Sequence, residues 1–308
     1  MQNISNKRRM MVGAMLAGGG LGFINPSLAA PAPLLMRRIP SSGEELPVVG
    51  LGSWISFNVG EDPTARARST EVVRAFFAGG GRLIDSSPMY GSAQAVIGHA
   101  LAQLKYPPAL FSADKVWIGS GARGPAQVEA SRALWGVPRF DLLQVHNLLA
   151  WDEHLPVLLR MKAAGRLRYV GITTSEGRRH DELVKIMRTQ PLDFIQVSYN
   201  VLDREVESRI LPLARERKIA VIVNRPFRQG DLTQALAGKP LPGWAAEIGC
   251  TSWAQAMLKF IASHPDVTCA IPATSKPANA LENMQAARGP LPDTALRRRI
   301  AADVERLA

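Results

Sequence analysis

From residue 48 to residue 287, short apolar runs alternate with segments whose apolar residues recur at helical spacing, eight of each. The runs are VVGLGSW (48–54), RLIDSS (82–87), LFSADKVW (110–117), DLLQVHN (141–147), RYVGITT (168–174), FIQVSYN (194–200), AVIVNRP (220–226) and TCAIPAT (268–274). The helical segments between and after them cover 68–79, 92–104, 125–136, 152–164, 179–189, 204–217, 252–264 and 277–287. Strand then helix, eight times, is the count of a (β/α)8 barrel. The runs are nearly continuous in apolar character, as expected of strands covered on both faces. Ahead of them, LMRRIPSSGEELP (35–47) carries a Ser-Ser-Gly turn between extended flanks, which predicts a small hairpin over the barrel's bottom. Behind them, PLPDTALRRRIAADVERLA (290–308) predicts one more helix, capped by Asp293. The expected fold is α/β: a (β/α)8 TIM barrel over residues 36–308 with an N-terminal β-hairpin and a C-terminal extra helix.

The first 30 residues stand outside that pattern. Lys7, Arg8 and Arg9 precede an apolar stretch of moderate length and a small-residue exit at Ser27-Leu28-Ala29, the layout of a secretory signal. Arg8-Arg9 before Met10, Met11 and Val12 resembles a twin-arginine signal, whose passengers cross the membrane folded. The expectation is therefore a signal peptide over 1–30, the twin-arginine export machinery as a partner, and a periplasmic protein with no stable membrane anchor after cleavage. An uncleaved anchor or an upstream start-site error is the competing reading.

The formal charge of +11 raises nucleic acid as a partner, but removing the three basic residues of the signal lowers it to +8. The remaining Lys and Arg are mixed with acids, as in REVESRILPLARERK (204–218), which describes solvated helix faces. No nucleic-acid partner is expected. The two cysteines, Cys250 and Cys269, form neither a disulfide framework nor a zinc spacing, so no metal is expected; whether they bridge is open.

In such a barrel the chemistry gathers where strands end. Asp85, Lys115 and His146 end three consecutive runs, and Tyr90 follows Asp85 in the next loop. An ammonium amid apolar residues is costly unless paired, and Asp85 on the adjacent strand is the obvious counter-charge. A phenol beside an ammonium is drawn toward phenolate, so Lys115 is expected to lower the Tyr90 pKa and make it a usable proton donor. His146 is placed to hold a substrate oxygen.

With these residues the chain resembles the aldo/keto reductases over essentially all of residues 36–290, through VVGLGSW, RLIDSSPMYGSAQAVIGHAL, DKVW, FDLLQVHN, RYVGITT, QVSYN and IPATSKPANALENMQA. The resemblance implies an NADP(H)-dependent interconversion of an aldehyde or ketone with an alcohol, with NAD(H) left open. It implies Tyr90 as proton donor, Lys115 as its tuner, Asp85 as the partner of Lys115, and His146 as the group that orients the carbonyl. It also implies that Ala273, Thr274, Ser275 and Lys276 lie along the adenosine phosphate, that Glu282 and Asn283 hold the adenine, and that Thr173, Thr174 and Gln196 meet the nicotinamide amide.

The chain departs from the family in several places. Asn279 stands where an arginine commonly holds the 2′-phosphate, leaving Lys276 as the nearest cation. Thr173-Thr174 replaces a Ser-Asn pair. Asn224, followed by Arg225 and Pro226, replaces the aromatic ring that stacks on the nicotinamide. Arg225 suits either a phosphate, an acidic substrate or a salt bridge. The substrate, a small carbonyl compound, is expected among Trp54, Met89 and Trp117, unless the tryptophans only close the rim. GSGARG (119–124) fits the dinucleotide-binding glycine pattern, but no acid ends the following strand, and it reads as a βα loop. Three rival readings stand beside the reductase: an exported cofactor-binding or redox-sensing barrel with little turnover, a barrel hydrolase or isomerase using Asp85 and His146, and a purely structural exported domain, which gives no account of the buried lysine.

Overall fold

A computed structural model describes residues 32–308; the signal peptide expected in residues 1–30 lies outside them. Strands β1 (Met36–Arg38) and β2 (Glu45–Pro47) pair antiparallel, with Gly43 at φ +78° turning the hairpin. The barrel strands are β3 (Leu51–Gly52), β4 (Leu83–Asp85), β5 (Phe111–Val116), β6 (Phe140–Val145), β7 (Leu167–Thr173), β8 (Phe194–Ser198), β9 (Ala220–Asn224) and β10 (Cys269–Ala270). All pair in parallel with their sequence neighbours.

The cylinder closes where the Gly50 amide donates to the Ala270 carbonyl (2.8 Å) and the Ala270 amide to the Val48 carbonyl (2.9 Å). Glycine is required at this seam, because a Cβ on Gly52 would lie 2.7 Å from the Ile271 carbonyl oxygen. Strand β10 is shorter than the expected 268–274, since Pro272 has no amide to continue the ladder.

The eight helices that follow the strands are α1 (Pro63–Ala78), α2 (Ala93–Gln103), α3 (Gly124–Trp135), α4 (Trp151–Ala163), α5 (His180–Thr189), α6 (Val206–Glu216), α9 (Trp253–Ala262) and α10 (Pro277–Gln285). Between β9 and α9, two short helices, α7 (Asp231–Ala235) and α8 (Trp244–Glu247), occupy the long connection. Helix α1 begins five residues before the expected start. The Asp62 carboxylate accepts the Ala65 amide (2.8 Å) and Pro63 supplies a preset first turn, a start signal that the apolar spacing does not carry. The extra helix is present as α11 (Thr294–Leu307), and Asp293 caps it by accepting the Leu296 amide.

The barrel interior holds an apolar cluster in which Ile39 and Leu46 of the hairpin pack on Leu83, Phe111, Leu142, Tyr169 and Phe194. Phe111 stacks on Tyr169, and Tyr169 meets Phe194 edge to face. These residues lie at the starts of their strands, so the hairpin seals that end. A second apolar cluster fills the space between strands and helices. Polar chemistry is left to the opposite end, where the strands finish. Both cysteines are buried free thiols. No helix among the described residues is long and apolar enough to cross a membrane.

Candidate active site

Lys115 and Asp85 meet at the ends of β5 and β4. Lys115 Nζ lies 2.5 Å from Asp85 Oδ2 and donates to the Ser86 carbonyl at 2.8 Å, and the two side chains are 0% and 2% exposed. Burial pulls the Lys115 pKa down, but the facing Asp85 carboxylate, supported by the neighbouring Tyr90 hydroxyl, outweighs it and holds the ammonium above its ordinary value. The preceding residue, Asp114, points to the other face of the same strand, as the two-residue period requires. It accepts from Gln94 Nε2 on α2 (2.7 Å), and burial pushes its carboxyl up to about 7 against the Lys115 amide and Gln94. One strand thus carries an ammonium into the site and a carboxyl group into the helix layer.

Tyr90 sits in the turn after β4, its amide bonded to the Ser87 carbonyl (3.0 Å). Lys115 Nζ lies 5.1 Å from the centre of the Tyr90 ring, and His146 meets that ring edge-on at 5.6 Å. The expected lowering of the Tyr90 pKa is not the net outcome. Burial pushes the phenol up, Lys115 pulls it down and Asp85 pushes it up again, leaving it above its ordinary value. Tyr90 is a neutral phenol at neutral pH, the form that can give a proton away. His146 is also neutral: burial, then the Lys115 charge, bring it down to about 2. Its Nδ1 lies 2.7 Å from Ser87 Oγ.

A polar chain runs from this pair across the barrel. Asp85 Oδ1 accepts from Gln144 Nε2 (3.2 Å) and Gln196 Nε2 (2.9 Å). Gln196 Oε1 accepts from Asn224 Nδ2 (3.3 Å), which also donates to the Thr174 carbonyl (3.0 Å). Asn224 Oδ1 accepts from Ser198 Oγ at 2.6 Å. Asn224, which replaces the stacking aromatic, is therefore tied into a network that begins at Asp85. Ser87 and Gln144 were not anticipated. Gln144 lies two residues before His146, and that inward-facing parity is the one signal that pointed to it.

A cavity of about 630 Å³ opens above these groups. It is lined by Trp54, Met89, Tyr90 and His146 at one end and by Asn279, Glu282 and Asn283 of α10 at the other. Asp85, Thr173, Gln196, Asn224, Arg225, Pro226, Ala273 and Thr274 also line it. Four expected contacts do not. Trp117 is exposed outside the cavity, and Ser275 and Lys276 face solvent beside the start of α10. The Thr174 side chain is buried behind the wall, its hydroxyl without a partner among the described residues. The Pro- and Gly-rich loop 227–251 was expected to fold over the cofactor, and the long β9–α9 connection does bring Lys239, Thr251 and Ser252 to the cavity wall, although none of the three was singled out from the sequence. Arg225 is engaged in a salt bridge to Glu176 and lies over the Trp54 ring at 5.6 Å. In GSGARG, the Gly121 amide donates to Glu153 Oε2 (2.6 Å), and a Cβ on Gly124 would lie 2.7 Å from His154 Nδ1. These glycines serve close packing on α4.

The sequence model described as "Aldo/keto reductase family" matches residues 48–299. The chain belongs to the aldo/keto reductase family. It is similar to methylglyoxal reductase YeaE of Escherichia coli (strain K12), 28% identical over 253 residues that span 80% of this chain and 88% of that protein. It is also similar to the NADH-specific methylglyoxal reductase of the same strain, at 26% identity over 73% of this chain and 78% of that one. The fold matches that of an aldo/keto reductase from Klebsiella pneumoniae solved with NADP and acetate, with a TM-score of 0.71 and 24% identity over 86% and 92% of the two chains. In this chain Asp85, Tyr90, Lys115 and His146 meet at the end of the barrel where the strands finish.

Proposed function

We propose that this chain is an exported NADP(H)-dependent carbonyl reductase, with NAD(H) as the alternative nucleotide and Tyr90 as its general acid and base. The observation that carries the reading is the buried Lys115–Asp85 pair lying beneath the Tyr90 ring, with His146 at the ring's edge. The cavity suits a dinucleotide in size and lining: it holds about 630 Å³ and is lined by aromatic and apolar side chains together with the amide and carboxylate groups of Asn279, Glu282 and Asn283. Asn279, Glu282 and Asn283 would hold the adenosine end, Ala273 and Thr274 the phosphates with Ser275 and Lys276 beside them, and Thr173, Gln196 and the Thr174 backbone the nicotinamide end.

A bound nicotinamide supplies the hydride, and the chain's residues manage the proton and the geometry. His146 holds the carbonyl oxygen within reach of Tyr90. The phenol hands its proton to that oxygen as it becomes an alkoxide, and the phenolate left behind is stabilised by the Lys115 ammonium. Asp85 keeps the lysine charged in a site where burial alone would discharge it. Trp54 and Met89 form the apolar wall against which the substrate lies. Arg225, already paired with Glu176, shapes the mouth. Two relatives are named as methylglyoxal reductases, which makes methylglyoxal the first substrate to test.

Purified protein is expected to oxidise NADPH, or NADH, with methylglyoxal or another aldehyde. Binding of nucleotide without turnover on any carbonyl would favour the sensor reading, and failure to bind either nucleotide would sink both.

The proposal includes export. Arg8-Arg9 would direct the protein through the twin-arginine machinery to the periplasm already folded around its nucleotide, the signal being removed near Ala29. Native mass spectrometry of the periplasmic fraction is expected to find the shortened chain with one dinucleotide bound. Export that survives replacement of Arg8-Arg9 by lysines would rule the route out.

A further inference from the structure

We infer that Ser87 is a positioning residue that fixes His146 as the tautomer with its proton on Nε2, turned toward the substrate. The catalytic part of this inference rests on the reductase reading above; the tautomer itself does not.

Ser87 is fully buried and His146 nearly so. The serine hydroxyl makes two contacts: it accepts the Met89 amide at 3.2 Å, and it lies 2.7 Å from His146 Nδ1. A hydroxyl has one proton and two acceptor sites, and a neutral imidazole has one donor and one acceptor nitrogen. If Nδ1 carried the imidazole proton, Ser87 would accept twice, and its own proton would have no acceptor among the described residues. That would leave a buried donor unused, which is costly. If Ser87 instead donates to Nδ1, both the serine hydroxyl and Nδ1 are satisfied and the imidazole proton moves to Nε2. Nε2 has no protein partner among the described residues, and the ring lines the cavity beside Tyr90.

The consequence is directional. An Nε2–H donates to a carbonyl oxygen, whereas the other tautomer would present a lone pair to it. The imidazole cannot solve the problem by taking a second proton, since burial and Lys115 keep it neutral. A serine two residues after Asp85 thus decides whether His146 attracts the substrate oxygen or repels it.

Long-range proton–nitrogen spectra of protein labelled with 15N-histidine read the tautomer directly. In the wild-type chain, His146 is expected to show a protonated Nε2 and an unprotonated Nδ1. In Ser87→Ala both tautomers should appear, with kcat for carbonyl reduction down about tenfold, nucleotide affinity unchanged, and the chain folded with a modestly lowered Tm. Ser87→Thr, which keeps the hydroxyl, should restore both the spectrum and kcat; if the added methyl unfolds the chain, the wild-type and Ser87→Ala spectra still decide. A wild-type signal from a protonated Nδ1, or an unchanged spectrum and kcat in Ser87→Ala, overturns the inference. Should the wild-type protein reduce no carbonyl, the reductase reading fails, while the spectra judge the tautomer independently.

Discussion

Two lysines among the described residues are almost fully buried, and they are handled in opposite ways. Lys115, at the end of β5, faces one carboxylate, and its ammonium is held above the ordinary value. Lys259, within α9, faces no carboxylate among the described residues. Its Nζ donates to the carbonyls of Ile248 (2.6 Å), Arg288 (2.6 Å) and Pro290 (2.9 Å), and burial holds it below the ordinary value. Three neutral dipoles replace the hydration shell of Lys259 and tie α9 to the end of the β9–α9 connection and to the segment after α10. One carboxylate leaves Lys115 with charge to spare for a neighbour, and that neighbour is Tyr90. In sequence the two are alike, a lysine among apolar residues: ADKVW and MLKFI. The partner, rather than the burial, separates a chemical lysine from a structural one.

The largest effect is expected at the group Lys115 serves. Tyr90→Phe should lower carbonyl reduction by about a thousandfold, within the span usual for a lost general acid, while nucleotide binding by fluorescence titration stays intact. A variant that retained wild-type turnover would remove Tyr90 from the mechanism.

Replacing each lysine tests the contrast itself. Lys115→Met should lower turnover by about a hundredfold and cost about 3–5 kcal/mol of stability, because Asp85 is left buried without its counter-charge. Lys259→Met should cost about 2 kcal/mol through the three orphaned carbonyls, yet leave kcat of the folded protein near wild type. Chemical denaturation alongside steady-state kinetics reads both. Equal losses of kcat in the two variants would dissolve the distinction.

The pH profile sharpens it further. Reduction needs the Tyr90 phenol, whose pKa lies above the ordinary 10.0, so its rate should stay level through neutral pH and fall only beyond that value. Alcohol oxidation needs the phenolate, so its rate should climb with pH, by up to about tenfold per unit. A reductive rate that fell between pH 7 and 8 would mean that Lys115 dominates over burial after all. The smallest change is expected at the far end of the polar chain. Asn224→Ala should release Gln196 from one partner and cost about 1 kcal/mol, with a modest rise in KM for the nucleotide and little change in kcat.

The barrel was legible because burial on both faces writes itself into each strand as an apolar run, and helical spacing marks what lies between. The departures have local causes: Asp62 and Pro63 start α1 early, and Pro272 stops β10. Asp85, Lys115 and His146 were legible for a related reason, since polar residues that end apolar runs must converge at one rim, and Tyr90 follows in the loop directly after Asp85. Ser87 was not, because nothing in a serine's spacing tells which hydroxyl will lie beside an imidazole 59 residues away. Trp117, Ser275 and Lys276 show the converse, residues adjacent in sequence to the site whose side chains turn away from it.

The sequence by itself determined the barrel, its sealed and open ends, and the four polar groups at the open rim, because periodicity and the cost of burying charge act within a few residues. Only the tertiary structure decided which way the Tyr90 pKa moves, what engages Asn224 and Arg225, and which of two buried lysines is free to act. Those outcomes depend on distances between strands and loops that are far apart in the chain, and electrostatic energies in a buried site change steeply with such distances.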